Sequence, residues 1–104
     1  MNTPIRTSDY YHDREQLHLV FLHGLDHVEG LERLSLALRM LDCDDVQEEF
    51  DGIWFVKIKM SGRGGEYYLY WHEDIGIYAY CENQDKHQEF KEKIDKAVKF
   101  LNDQ

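Results

Sequence analysis

The sequence predicts an α+β fold in the order β-α-β-β-β-α, with an antiparallel sheet and two amphipathic helices packed on one face. Three observations lead to this prediction. Residues 52–82 contain three runs rich in β-branched and aromatic residues, separated by turn residues, which is typical of an antiparallel meander. Apolar residues recur at helical spacing in one segment before the meander and one after it. A short apolar run precedes the first of these helices.

The chain of 104 residues has the size of one domain, and 42% hydrophobic residues suit a globular core. Residues 1–14 are polar and show no apolar periodicity, so we expect an N-terminal arm there. Residues 15–104 are then a single α+β domain. The run QLHLVFL at 16–22 is nearly continuous in apolar character, which predicts a strand covered on both faces.

The first helix is expected to open at Asp26, because Asp26 and Glu29 have the spacing of a capping box. The acidic stretch 42–51 should end this helix and form a loop, with Val46 and Phe50 holding the loop against the body of the protein. The apolar stripe of the helix comprises Leu25, Val28, Leu31, Leu34, Leu38 and Leu41.

Alternation along the meander sorts its side chains onto two faces. The first set is the expected core under the helices: Trp54, Val56, Ile58, Met60, Tyr67, Leu69, Trp71, Ile75, Ile77, Ala79 and Cys81. The second set we call the tyrosine face: Phe55, Lys57, Lys59, Tyr68, Tyr70, His72, Tyr78 and Tyr80. The glycines of SGRGG, residues 61–65, fit a tight hairpin turn between two strands.

The second helix is expected over residues 86–101, with Asp85 and Gln88 as a capping pair. Its apolar stripe comprises Phe90, Ile94, Ala97, Val98 and Leu101. Three acid–lysine pairs at four-residue spacing should add small stabilising terms along its surface: Glu89–Lys93, Glu92–Lys96 and Asp95–Lys99.

Two helices cover one side of a small sheet, so the tyrosine face is expected to lack a helical cover. Tyrosine is enriched at protein interfaces, and a large exposed aromatic patch marks a binding surface. We therefore predict that this face binds a protein partner or a second copy of the chain. Three alternatives stay open: tyrosine simply suits exposed strands, the arm with Tyr10 and Tyr11 folds over the face, or the two faces are reversed.

The net charge of −9 argues against nucleic-acid binding, because an acidic protein repels phosphate backbones. Residues 1–52 carry twelve acids and four bases, which places −8 of that charge in the first half. The succession of helix, three-stranded meander and helix resembles the double-stranded-RNA-binding domain in outline. That family uses a basic meander loop and a lysine-rich last helix. Here the loop carries only Arg63, and the last helix mixes lysines with as many acids.

Other chemical sites receive little support from the sequence. The nearest approach to a metal site is the set His23, His27 and Cys43, but no H-E-x-x-H motif is present. The segment LVFLHG at 19–24 resembles the strand that leads into the oxyanion region of α/β-hydrolases, yet no G-x-S-x-G nucleophile turn occurs. We expect no cofactor and no catalytic residues.

The two cysteines, Cys43 and Cys81, are too few for a disulfide framework. The sequence contains no apolar segment long enough to predict a membrane span. We therefore predict a small acidic cytoplasmic protein, not an enzyme, that associates with itself as a homodimer or with a basic protein partner, and not with nucleic acid or membrane. The alternative is a small-ligand- or metal-binding protein or enzyme with its site near His23 and His27.

Overall fold

The computed structural model describes residues 4–25 and 27–104, which form one six-stranded antiparallel sheet and two helices. The strands are β1 (Arg6–His12), β2 (Leu17–His23), β3 (Asp45–Asp51), β4 (Phe55–Gly62), β5 (Gly65–His72) and β6 (Gly76–Cys81). The helices are α1 (His27–Asp42) and α2 (His87–Asn102), and a short 3-10 turn at Gln84–Lys86 precedes α2. The α+β class with helices on the sheet is confirmed, and the element order gains two strands.

The order of strands across the sheet is β1-β2-β6-β5-β4-β3. The predicted meander occupies its β4-β5-β6 part, and β2 lies between β1 and β6. A two-residue turn, Arg63–Gly64, joins β4 to β5, as the glycine-rich sequence indicates. Within the described ranges, no helix has the length and apolarity that crossing a membrane requires.

The two outermost strands differ from the sequence expectations. Residues 6–12, expected in a polar arm, form β1 and pair along their whole length with β2. Residues 45–51, expected in a loop, form β3 and pair with β4. In β3 an acid lies opposite a lysine, Glu48 against Lys59, which favours pairing of an otherwise poor strand sequence. Val46 and Phe50 do not hold this segment to the core, since both side chains are exposed.

The core lies between the sheet and the two helices. Its sheet side comes from alternate residues of the inner strands: Val20, Leu22, Val56, Ile58, Met60, Tyr67, Leu69, Ile77, Ala79 and Cys81. The helices contribute Leu31, Leu34, Leu38, Phe90, Ile94, Ala97, Val98 and Leu101. Alternation therefore assigns the core face correctly for the strands themselves. Trp54 and Ile75 are wrong assignments, 61% and 54% exposed, because they precede β4 and β6 and lie in turns.

The helix ends also differ in part from those predicted from the sequence. The expected capping pair of Asp26 and Glu29 includes Asp26, which lies outside the described residues. At the second helix, Asp85 and Gln88 do not form the expected pair. The Asn83 side chain instead accepts a hydrogen bond from the Asp85 backbone N–H at 3.1 Å and caps the 3-10 turn, while Lys86 at the start of α2 makes no side-chain capping bond.

A buried carboxylate ties α1, the β4–β5 hairpin and α2 together. Oδ2 of Asp44 accepts hydrogen bonds from the Tyr67 hydroxyl at 2.5 Å and from the Lys93 ammonium at 2.7 Å. The same ammonium lies 5.0 Å from the centre of the Tyr67 ring. Gly62 is required beside it, because a Cβ on Gly62 would lie 2.2 Å from Oδ1 of Asp44. The carboxylate therefore connects segments that are far apart in the chain.

Candidate binding face

The side of the sheet opposite the helices, which we call the helix-free face, carries all eight residues of the tyrosine face. The strand registers place Lys57 opposite Tyr70 and Tyr70 opposite Tyr78 in one row across the sheet. Lys59, Tyr68 and Tyr80 form the next row. All eight side chains are half-buried. The sequence pattern thus brings together residues from three strands, since an unbroken antiparallel register keeps alternate side chains on one side.

Aromatic rings pack against one another across this face. The rings of Tyr70 and Tyr78 stack in parallel, with centroids 5.0 Å apart. Tyr80 lies 5.1 Å from Tyr68 and 6.0 Å from Tyr70. These distances lie in the range where aromatic pairs attract beyond their buried area. The tyrosines therefore form one connected layer of rings.

Neighbouring strands extend the layer beyond the predicted set. Phe21 of β2 lies 5.6 Å from Tyr78, and Tyr10 of β1 lies 5.8 Å from Phe21. On the other side, Phe50 of β3 stacks on Phe55 at 5.6 Å. The face thus also includes Tyr10, Phe21 and Phe50, which the sequence pattern did not identify. Alternation through Ser8, Tyr10 and His12 would have placed Tyr10 there once residues 6–12 were recognised as a strand.

The lysines of the face have different partners. The Lys57 ammonium lies over the Tyr68 ring, 4.6 Å from its centroid, and 5.5 Å from the centroid of Tyr70. Lys59 forms an ion pair with Glu66 at 3.2 Å, which raises the pKa of the Lys59 ammonium. The face therefore presents one cationic group, the Lys57 ammonium, directly beside electron-rich rings, and a second lysine paired with a carboxylate.

The hydroxyls of Tyr78 and Tyr80 stay protonated well into alkaline conditions, because both pKa values are raised. Burial raises the pKa of Tyr80, and the nearby Tyr70 raises it further. Burial is also the main cause of the raised pKa of Tyr78, followed by the charges of Tyr70 and Glu15. At neutral pH these rings are uncharged donors and acceptors, suited to contact with another protein surface.

His72 lies at the end of the face, where β5 turns into β6. Its Nδ1 accepts a hydrogen bond from the Asp74 backbone N–H at 3.1 Å, and its strand partners are Phe55 and Gly76. The histidine thus has a structural role in its turn as well as a place on the face.

The three residues considered as metal ligands near the first helix, His23, His27 and Cys43, do not form a group in the described part of the fold. Nε2 of His23 lies 2.8 Å from the Ser8 hydroxyl, His27 is exposed at the start of α1, and Cys43 is exposed beyond the end of that helix. Among residues 4–25 and 27–104, no group of three or more His, Cys, Asp or Glu side chains is placed to hold a metal ion. Cys81 is buried, burial raises its thiol pKa, and both cysteines are free.

The aromatic layer, the half-buried lysines and the protonated hydroxyls make the helix-free face the candidate site of this protein. Comparison of the chain with protein-family models, with curated proteins and with solved structures finds no match.

Proposed function

We propose that this protein is a non-catalytic module that associates with a second copy of itself through the helix-free face. The observation that carries the proposal is the connected layer of aromatic rings that crosses the sheet on the side without helices. Apolar surface of this extent is favourable to remove from water, and tyrosine loses little side-chain entropy when it becomes ordered in an interface.

The size of the face suits a stable dimer. Six strands spaced about 4.8 Å apart and seven residues rising about 3.3 Å each span roughly 29 by 23 Å, or about 670 Å². Specific protein interfaces bury about 800 Å² per partner. The face alone therefore approaches the area required, and exposed residues at its margin, such as Ile75, can supply the rest.

The charge on the face favours a second copy over a strongly charged partner. Its two lysines lie among carboxylates of the same face: Glu66 pairs with Lys59, and Glu48 and Glu15 line hollows in the face. The face therefore carries charges of both signs and no strong excess of positive charge. A surface that carries both signs of charge can pair with a copy of itself. A chain with net charge −9 would instead repel a nucleic acid. Two free thiols also suit the reducing cytoplasm, where we propose that the dimer operates.

Sedimentation velocity from about 1 to about 500 μM tests the proposal, because this concentration range covers dissociation constants typical of weak and moderate dimers. We expect the parent protein to sediment at twice its mass of 12.5 kDa. Tyr70→Glu combined with Tyr80→Glu should give a monomer, since four carboxylates would be buried in the dimer. A matched control, Leu36→Glu with Met40→Glu, changes two exposed apolar residues on α1 and should leave the dimer intact.

Circular dichroism and thermal melting of each variant establish that the fold is retained. A parent protein that stays monomeric at the highest concentration would overturn the proposal. So would a dimer that the helix variant dissociates and the tyrosine variant does not.

A further inference from the structure

Two hollows flank Tyr70 on the helix-free face, and its ring forms part of the wall of each. The first, which we call the lysine hollow, is lined by Phe50, Phe55, Lys57 and Lys59 together with Glu48. The second, which we call the glutamate hollow, is lined by Tyr10, Glu15, Phe21, Tyr78 and Tyr80 among others. Tyr70 is therefore a ridge between two recesses, and a face with both features can interlock with its own copy.

The hollows carry unlike charges. Lys57 lies in the first, and Glu15 is the one carboxylate in the second. Among the described residues, neither Lys57 nor Glu15 takes part in an ion pair, whereas Lys59 is already paired with Glu66. Within residues 4–25 and 27–104, the lysine hollow thus offers the unpaired Lys57 ammonium, with the unpaired Glu48 carboxylate also in its lining, and the glutamate hollow offers the unpaired Glu15 carboxylate.

A two-fold dimer uses the same patch on both copies, so the patch has to complement itself. Any two-fold axis in the plane of the interface that brings Glu15 over Lys57 of the other copy lies midway between these two residues. Tyr70 lines the hollows on both sides, so it lies between them, close to that axis. An axis that instead set like hollows over each other would bring the Glu15 carboxylates of the two copies together, with no lysine in the lining of that hollow, which is unfavourable.

Resting on the proposed function, we propose that the dimer is a two-fold sandwich in which the lysine hollow of each copy covers the glutamate hollow of the other. Glu15 of each copy then pairs with Lys57 of the partner subunit, and the two Tyr70 ridges lie beside the axis. The interface contains this pair twice, so every substitution acts on it twice. The Lys57 ammonium keeps its place over the Tyr68 ring and gains a carboxylate on its open side.

Charge reversal tests this arrangement. Glu15→Lys and Lys57→Glu should each weaken the dimer at least about tenfold, because like charges then meet at two places in the interface. The double variant Glu15→Lys with Lys57→Glu restores opposite charges and should bring the dissociation constant back to within about threefold of the parent value. The dissociation constants are measured by sedimentation equilibrium at one fixed ionic strength.

Matched controls separate the pair from the change in net charge. Glu32→Lys and Lys99→Glu alter exposed helix residues and change the net charge by the same amounts as the two single variants. They should leave the dissociation constant within about threefold of the parent value, since they lie on the helix side of the sheet. The milder variants Glu15→Gln and Lys57→Met repeat the test if a reversal disturbs the fold, which circular dichroism reveals.

The outcomes distinguish this inference from the proposed function. If the single reversals change the dissociation constant of the dimer no more than the helix controls do, the Glu15–Lys57 pairing is wrong. The proposed tyrosine interface would still be supported in that case. A double variant as weak as the singles would likewise show that the pairing is wrong. A parent protein that is monomeric throughout would overturn both proposals together.

Discussion

Asp44 shows how one buried side chain can stabilise the junction of several elements. Its carboxylate is inaccessible to solvent, and its Oδ2 accepts two hydrogen bonds, one neutral and one from an ammonium. Removing a carboxylate from such a site leaves a buried ammonium without its partner, which costs more than the pair itself contributes. The chain also contains a more exposed pair close by, Asp42 with Lys96 at 2.9 Å.

These two pairs give a controlled comparison. We expect Asp44→Ala to lower the free energy of unfolding by about 3 kcal/mol, since breaking a buried pair typically costs 3–5 kcal/mol. Asp42→Ala should lower it by less than about 1 kcal/mol, because solvent screens a pair in which the lysine is largely exposed. Urea denaturation at neutral pH measures both values. Equal effects of the two substitutions would contradict the role assigned to Asp44.

Tyr67 makes the stability of the fold decrease as the pH rises in the alkaline range. Burial, followed by the hydrogen bond to Asp44, raises the pKa of Tyr67 in the folded state above the value of about 10 expected when it is unfolded. The native state therefore keeps the phenol proton, while the unfolded state loses it. The stabilisation from neutral Tyr67 is complete below about pH 10 and decreases as pH rises above that value.

We expect the free energy of unfolding to fall by up to about 1.4 kcal/mol per pH unit for this one group above pH 10. Tyr67→Phe should remove that part of the slope while lowering stability at neutral pH, because its hydroxyl no longer donates to Asp44. Urea midpoints at pH 8, 9.5, 10.5 and 11 measure the slope. Tyr67→Phe with an unchanged slope would show that other groups, such as Tyr78 and Tyr80, cause the alkaline loss.

Residue-level pairing was the part of the structure that the sequence predicted least well. The second helix was expected to pair Glu89 with Lys93 and Glu92 with Lys96. Instead Lys93 reaches Asp44 and Lys96 reaches Asp42, both at the end of α1. Spacing along a helix reports only which partners are near in sequence. The tertiary partners become visible only when the packing of the two helices is known.

At the level of elements, the inner strands and the helices could be predicted, and the outer strands could not. An inner strand under a helix layer has one apolar side, so its sequence alternates. β3 is exposed along its whole length and shows no such alternation, and β1 is mostly exposed. The eight residues of the tyrosine face were found because β4, β5 and β6 pair in one continuous register. Phe50 and Tyr10 were missed because their strands were missed.

β1 and the residue before it, Ile5, are held to the helix layer by four polar contacts with three side chains of α2. The Asn102 side chain accepts a hydrogen bond from the Ile5 backbone N–H at 2.8 Å and donates one to the Ile5 carbonyl at 3.0 Å. The Thr7 hydroxyl donates to Asp95 at 2.6 Å, and His87 lies 2.9 Å from Asp9. These contacts replace the apolar anchoring that a polar strand cannot supply.

We expect Asn102→Ala to accelerate amide hydrogen exchange in β1, because the clamp on Ile5 is lost and the edge strand opens more often. Exchange in β4 and β5 should be unchanged, since those strands lie away from the clamp. Asp103→Ala, an exposed neighbouring change, serves as the control. Uniform acceleration in every strand would mean that the clamp stabilises the whole fold, contrary to a local role.

The molecule as a whole is a sheet wider than its helical layer. The helices pack against β1, β2, β6 and β5 and also against β4, where the Ser35 hydroxyl of α1 donates to the sulfur of the buried Met60. β3 extends past the helices with every side chain exposed. The acids of β3 keep this free edge hydrated and make it a poor template for a second acidic strand. The two sides of the sheet thus differ: one builds the core, and the other carries no helix.

The position of β1 has a consequence for how the chain avoids misassembly. Its neighbour in the sheet is β2, with the sequence LHLVFLH. This seven-residue segment is rich in β-forming apolar residues, and its only ionisable side chains are two histidines. Segments of this composition readily stack into fibrils when their backbone groups are unpaired. The polar strand β1 pairs with one edge of β2, so the backbone groups of that edge are not available to another chain. We therefore expect the hydrogen bonds of Asn102, Asp95 and His87 to reduce aggregation as well as to hold the position of one strand.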